Sequence, residues 1–60
     1  MKKIFIASGY DSWNNKKQLK AFSSMAEADA FLENLTDPHV HVIAYRSTVG
    51  LVNALLKVNG

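Results

Sequence analysis

The chain of 60 residues contains no cysteine, one proline, three glycines and one tryptophan. Without thiols, neither a disulfide nor a thiolate metal site can form. A domain this short buries only about 60% of the surface of its unfolded chain, so a partner is the remaining way to complete its core. No apolar run approaches the ~20 residues of a membrane span. Met1-Lys2-Lys3 followed by Ile4-Phe5-Ile6-Ala7 begins like a secretory signal, but the run stops at Ser8-Gly9, which points to a cytoplasmic protein. A hydrophobic content of 48% is too high for a disordered chain. One domain over residues 1–60 is expected.

The net charge of +2 conceals an uneven distribution. Residues 1–24 carry Lys2, Lys3, Lys16, Lys17 and Lys20 against Asp11 alone, a balance of +4. Residues 25–38 carry Glu27, Asp29, Glu33 and Asp37 with no base, a balance of −4. A dipolar surface of this kind can meet a second copy of itself, an acidic partner or a phosphate backbone. Two solvated faces that keep the chain soluble are the plainer reading.

Hydrophobic periodicity divides the chain into five segments. Lys3 to Tyr10 places Ile4, Ile6 and Ser8 on one face and Phe5, Ala7 and Gly9 on the other, as a strand does. Asp11-Ser12-Trp13-Asn14-Asn15 has turn chemistry. Lys16 to Phe22 alternates Leu19 and Ala21 against Lys20 and Phe22, and so short a connection makes the pair an antiparallel hairpin. Ser24-Met25-Ala26-Glu27 fits a capping box. Ala28, Phe31, Leu32 and Leu35 follow at helical spacing, and Asp37-Pro38 is expected to stop the helix. His39 to Tyr45 alternates again with apolar residues on both faces, which suits a strand that is central or covered on two sides. Ser47 or Thr48 can cap a last helix to about Val58, closed by Asn59-Gly60; a last strand is the competing reading. The fold class is α+β, a three-stranded sheet packed with two helices in the order ββαβα.

The last helix holds more apolar surface than one small core needs. Val49, Leu51, Val52, Ala54, Leu55, Leu56 and Val58 nearly encircle it, and only Asn53 and Lys57 are plainly polar. A helix apolar all round is normally buried all round. Leu51, Val52, Leu55, Leu56 and Val58 are therefore expected to meet a second copy or another protein.

No constellation supports catalysis, and an enzyme is not expected. His39 and His41 share a strand face, with Asp37 the only nearby third ligand candidate; two solvent-facing histidines are the commoner meaning of such a pair. Arg46-Ser47-Thr48-Val49-Gly50 could hold an anion at a helix start but lacks P-loop spacing, and an ordinary cap explains it. Asp11 and Ser12 with a strand histidine make no triad, since nothing marks Ser12 as a nucleophile. No cofactor and no metal site is expected. Trp13, Lys16, Lys17, Lys20 and Phe22 form the one suggestive group, because aromatic rings can stack bases while amines meet phosphates. The plainer reading is that Tyr10 and Phe22 are core, with Trp13 stapling the loop to the body.

Tyr10-Asp11-Ser12-Trp13 and the later run Lys20-Ala21-Phe22 through Glu27-Ala28-Asp29-Ala30-Phe31 resemble a known pattern. It is the Tyr-x-Ser-Trp and Lys-x-Phe-x-x-x-x-Glu-Ala-x-x-Phe pattern of the hybrid-binding domain at the front of some ribonucleases H. The resemblance implies a small sheet backed by helices that binds RNA–DNA duplexes, with Trp13, Lys20 and Phe22 as contacts. The Lys-Lys start and ββαβ order also resemble small phage and prophage proteins. The leading expectation is a non-enzymatic interaction module, a homodimer through the last helix and strand three. Nucleic-acid binding through the hairpin is the alternative, and docking on a host protein a third.

Overall fold

The computed structural model describes residues 2–60; Met1, where the signal-like start begins, lies outside them. The order is ββαβα: β1 (Lys2–Asp11), β2 (Lys16–Phe22), α1 (Met25–Leu32), β3 (Thr36–Tyr45) and α2 (Thr48–Asn59). The strands form one antiparallel sheet in the order β2-β1-β3. The expected α+β architecture is the one observed, and the last apolar segment is a helix.

Register assigns each side chain to a face. Phe5 stands opposite Phe22 and Val42, and Ala7 opposite Lys20 and Val40. On the other face Ile6 stands opposite Ala21 and His41, and Ser8 opposite Leu19 and His39. α1 lies on the first face, where Ala7, Ala28 and Leu32 are buried with Phe5, Phe22, Phe31, Leu35 and Val40 packed around them. The Phe22 and Phe31 rings meet at 5.4 Å and a tilt of 51°, an arrangement that suits their quadrupoles.

α2 covers the opposite face at the end of the sheet where β1 begins. Gly50 lies close to the Tyr45 ring, and at the far end of the helix the Asn59 side chain reaches Ala21 of β2. The helix thus crosses from β3 to the β2 edge. Ile4 is fully buried and Ala21 nearly so, both on the face that α2 crosses.

Two boundaries and the placement of β3 stand out against the sequence reading. α1 ends at Leu32, not at Asp37-Pro38. Leu35 N–H closes a tight turn onto the Leu32 carbonyl, which drops Leu35 against Gly9 and lets Thr36 join the sheet opposite Tyr10. β3 accordingly begins at Thr36, with a bulge between the Ser8 and Tyr10 pairings. Asp37 takes φ 51° there, a left-handed conformation that Asp tolerates better than most residues. β3 is also an edge strand, not a central one; β1 is central. Apolar residues on both faces of β3 reflect the two helices on opposite sides of the sheet.

The helix caps follow the sequence with one change. Ser24 Oγ accepts from Glu27 N–H at 3.2 Å. The Glu27 carboxylate accepts the Ser24 hydroxyl, where a full capping box would engage the Ser24 amide. Ser47 Oγ accepts from Gly50 N–H at 3.0 Å and caps α2.

Candidate interaction surface

The surplus apolar surface of α2 is divided by the packing of the helix. Leu51, Ala54, Leu55 and Val58 are half-buried along one stripe. Val49, Val52 and Leu56 form a second stripe at i, i+3, i+7, exposed to 69, 43 and 65%. Of the five residues expected at an interface, Val52 and Leu56 face outward, whereas Leu51, Leu55 and Val58 belong to the half-buried stripe. Val49 joins the exposed set; its heptad spacing to Val52 and Leu56 was the sequence signal for it.

The hairpin group is dispersed. Trp13 sits in the β1–β2 loop and is 91% exposed, so it does not staple the loop to the body. The loop organises itself instead. The Asp11 carboxylate accepts from Trp13 N–H at 3.0 Å, from Asn14 N–H at 3.3 Å and from the Asn14 side-chain amide at 2.7 Å. Asn15 adopts φ 54° and accepts the Tyr10 hydroxyl at 3.0 Å. Tyr10 itself is exposed. Lys16 and Lys20 lie on the α1 face of β2 and Lys17 on the other, by their cross-strand partners. Phe22 is half-buried against Phe31, with Lys20 Nζ 5.7 Å from its ring centre.

The Asn14 side-chain amide, helped by the two backbone N–H groups, holds the Asp11 carboxyl below its ordinary value of 3.8. A depressed folded value means that the loop is stabilised above pH 3.8 and loses this as the pH falls through the folded value. The amide resonances of Trp13 and Asn14 are therefore expected to hold steady from neutral pH to about pH 4 and to move together below it. A shared transition well above that range would show that another group orders the loop.

Ser8, Gly9, Tyr10, Lys17, Asp37 and His39 line an open cleft of about 240 Å³. His39 and His41 are both exposed on the sheet face opposite α1. Among the described residues no three His, Asp or Glu side chains come together as metal ligands do. Arg46 is exposed beside the Ser47 cap. Asp11 is committed to its loop amides, and Ser12 is exposed. Among the described residues no helix is long and apolar enough to cross a membrane. No family model, curated protein or solved structure matches the chain.

Proposed function

We propose that the chain is a small non-enzymatic interaction module of the cytoplasm that works as a homodimer, with the outer stripe of α2 at the contact. The observation that carries this reading is the exposure of Val49, Val52 and Leu56 in one row on a helix whose opposite stripe already packs on the sheet. Single exposed apolar residues are ordinary; a row on one helix face marks a place where water is to be excluded. A second copy is the occupant favoured by charge. The lysines of β2 and the acids of α1 give each molecule both signs, so two copies can meet with opposite potentials facing. Leu56→Glu is expected to convert a dimer at ~100 μM into a monomer while the unfolding midpoint moves little, since exposed substitutions usually change stability by under about 0.5 kcal/mol. Sedimentation equilibrium reads this directly. A wild-type chain that stays monomeric at that concentration removes the proposal.

A second reading, nucleic-acid binding, is favoured by Trp13, a large ring held out on an ordered loop beside Lys16 and Lys17. Such a ring can stack on a base while the amines meet phosphates. Binding of labelled single strand, duplex or RNA–DNA hybrid would weaken steeply with added salt. An absence of binding to all three at ~10 μM protein and low salt removes this reading.

A further inference from the structure

The two edges of the sheet are treated differently. At the β2 edge, Asn59 Oδ1 accepts from Ala21 N–H at 2.7 Å and Asn59 Nδ2 donates to the Ala21 carbonyl at 2.9 Å. One amide side chain thus occupies the donor and acceptor that a further strand would use. β2 also carries Lys16, Lys17 and Lys20, and edge lysines discourage pairing with another chain. The β3 edge has neither device along His39 to Tyr45. That stretch holds no Lys, Arg, Asp or Glu, and among the described residues no side chain bonds to its backbone. The bulge and Pro38 disturb only its first residues, leaving His39 to Tyr45 in continuous register with β1.

We propose that the outer edge of β3 pairs antiparallel with β3 of a second copy, joining two three-stranded sheets into one continuous sheet. This rests on reading the chain as a homodimer and places a contact at β3 separate from the outer stripe of α2, which faces away from the sheet. The strand is complementary to itself. A two-fold axis normal to the sheet keeps like faces together, so Val40, Val42 and Ala44 meet their counterparts on the α1 side and His39, His41 and Ile43 meet theirs on the other. Val42, half-exposed in the single chain, gains an apolar neighbour across the new ladder. The ends select the direction. Exposed Asp37 lies near the start of β3 and exposed Arg46 just past its end, so an antiparallel second copy sets acid beside base at both ends. A β2–β2 pairing would instead crowd lysines together.

Amide hydrogen exchange on the labelled full chain at ~20 μM and ~1 mM tests the proposal. In a lone molecule, alternate β3 amides point away from β1 into water and exchange fast. Pairing is expected to slow those amides at least about tenfold at the higher concentration. Val42→Lys, a charge at a half-exposed edge position, is expected to abolish the gain and leave β1–β2 protection intact. If sedimentation reports a dimer while these amides exchange equally fast at both concentrations, β3 pairing is wrong and the α2 contact stands alone. A monomer at both concentrations overturns both. The wild-type comparison needs no variant, so a Val42→Lys chain that failed to fold would leave the test standing.

Discussion

Ile4→Ala is expected to lower the unfolding free energy by about 2–5 kcal/mol, the usual range for removing a fully buried branched side chain and leaving a cavity. Among the described residues Ile4 is the largest side chain with no exposed surface. It sits on the central strand under α2, so the sheet beneath it cannot relax without breaking two ladders. A core of this size rarely supplies more than about 3–5 kcal/mol in total, so a loss at the upper end of that range leaves the variant largely unfolded at 25 °C. Ile4→Val keeps most of the packed volume and should cost about 0.5–1.5 kcal/mol. Urea unfolding followed by far-ultraviolet circular dichroism measures both. An alanine variant within about 0.5 kcal/mol of the parent would mean that α2 does not hold the sheet in the way described.

The second large effect is expected at Gly9, for a reason of space. An alanine Cβ there would lie 2.8 Å from Leu35 Cβ, 3.1 Å from Leu35 Cδ1 and 3.3 Å from the Thr36 carbonyl oxygen. Leu35 Cβ is fixed to the backbone by the turn that ends α1, so it cannot swing aside as a side-chain tip could. Gly→Ala at a compatible site stabilises by about 0.4–1 kcal/mol through the unfolded chain. Overpacking a close contact costs about 1–3 kcal/mol, and it wins here because the obstacle is near the main chain. Gly9→Ala should therefore destabilise by about 1–2 kcal/mol net. Trimming Leu35 to alanine removes the Cδ1 contact alone, so a double-mutant cycle should recover part of the loss. Full additivity of the two changes would place the conflict at Thr36 or at Leu35 Cβ. A neutral or stabilising Gly9→Ala would show that Leu35 does not sit on Gly9.

Much of the architecture was legible because its signals are local. The alternation of Ile4, Ile6 and Ser8 against Phe5, Ala7 and Gly9 gave the faces of β1 that the structure shows. Asp11 to Asn15 carried the turn, and Ser24 and Ser47 carried the two helix starts. The errors lay where a distant residue decides. Pro38 marked a break, but Leu35 docking on Gly9 ended α1 five residues before Asp37. The apolar alternation of β3 suited either a central strand or one covered on two sides; the structure makes it an edge strand with a helix on each face of the sheet, and β1 lies between the others.

The interaction surface was legible in part. The sequence showed that residues 49–58 hold more apolar surface than a lone core uses, and packing alone could say which part is surplus. Because α2 lays Leu51, Ala54, Leu55 and Val58 along its half-buried stripe, Val49, Val52 and Leu56 are left outward. In the same way Asn59, a helix-ending residue by sequence, became the guard of the β2 edge only once the helix crossed the sheet. The absence of cysteine, by itself, established that this short chain has no thiol staple. Where its unspent surfaces lie, on one stripe of α2 and one edge of β3, was decided by tertiary structure, since exposure and strand neighbours arise from contacts between residues far apart in the chain.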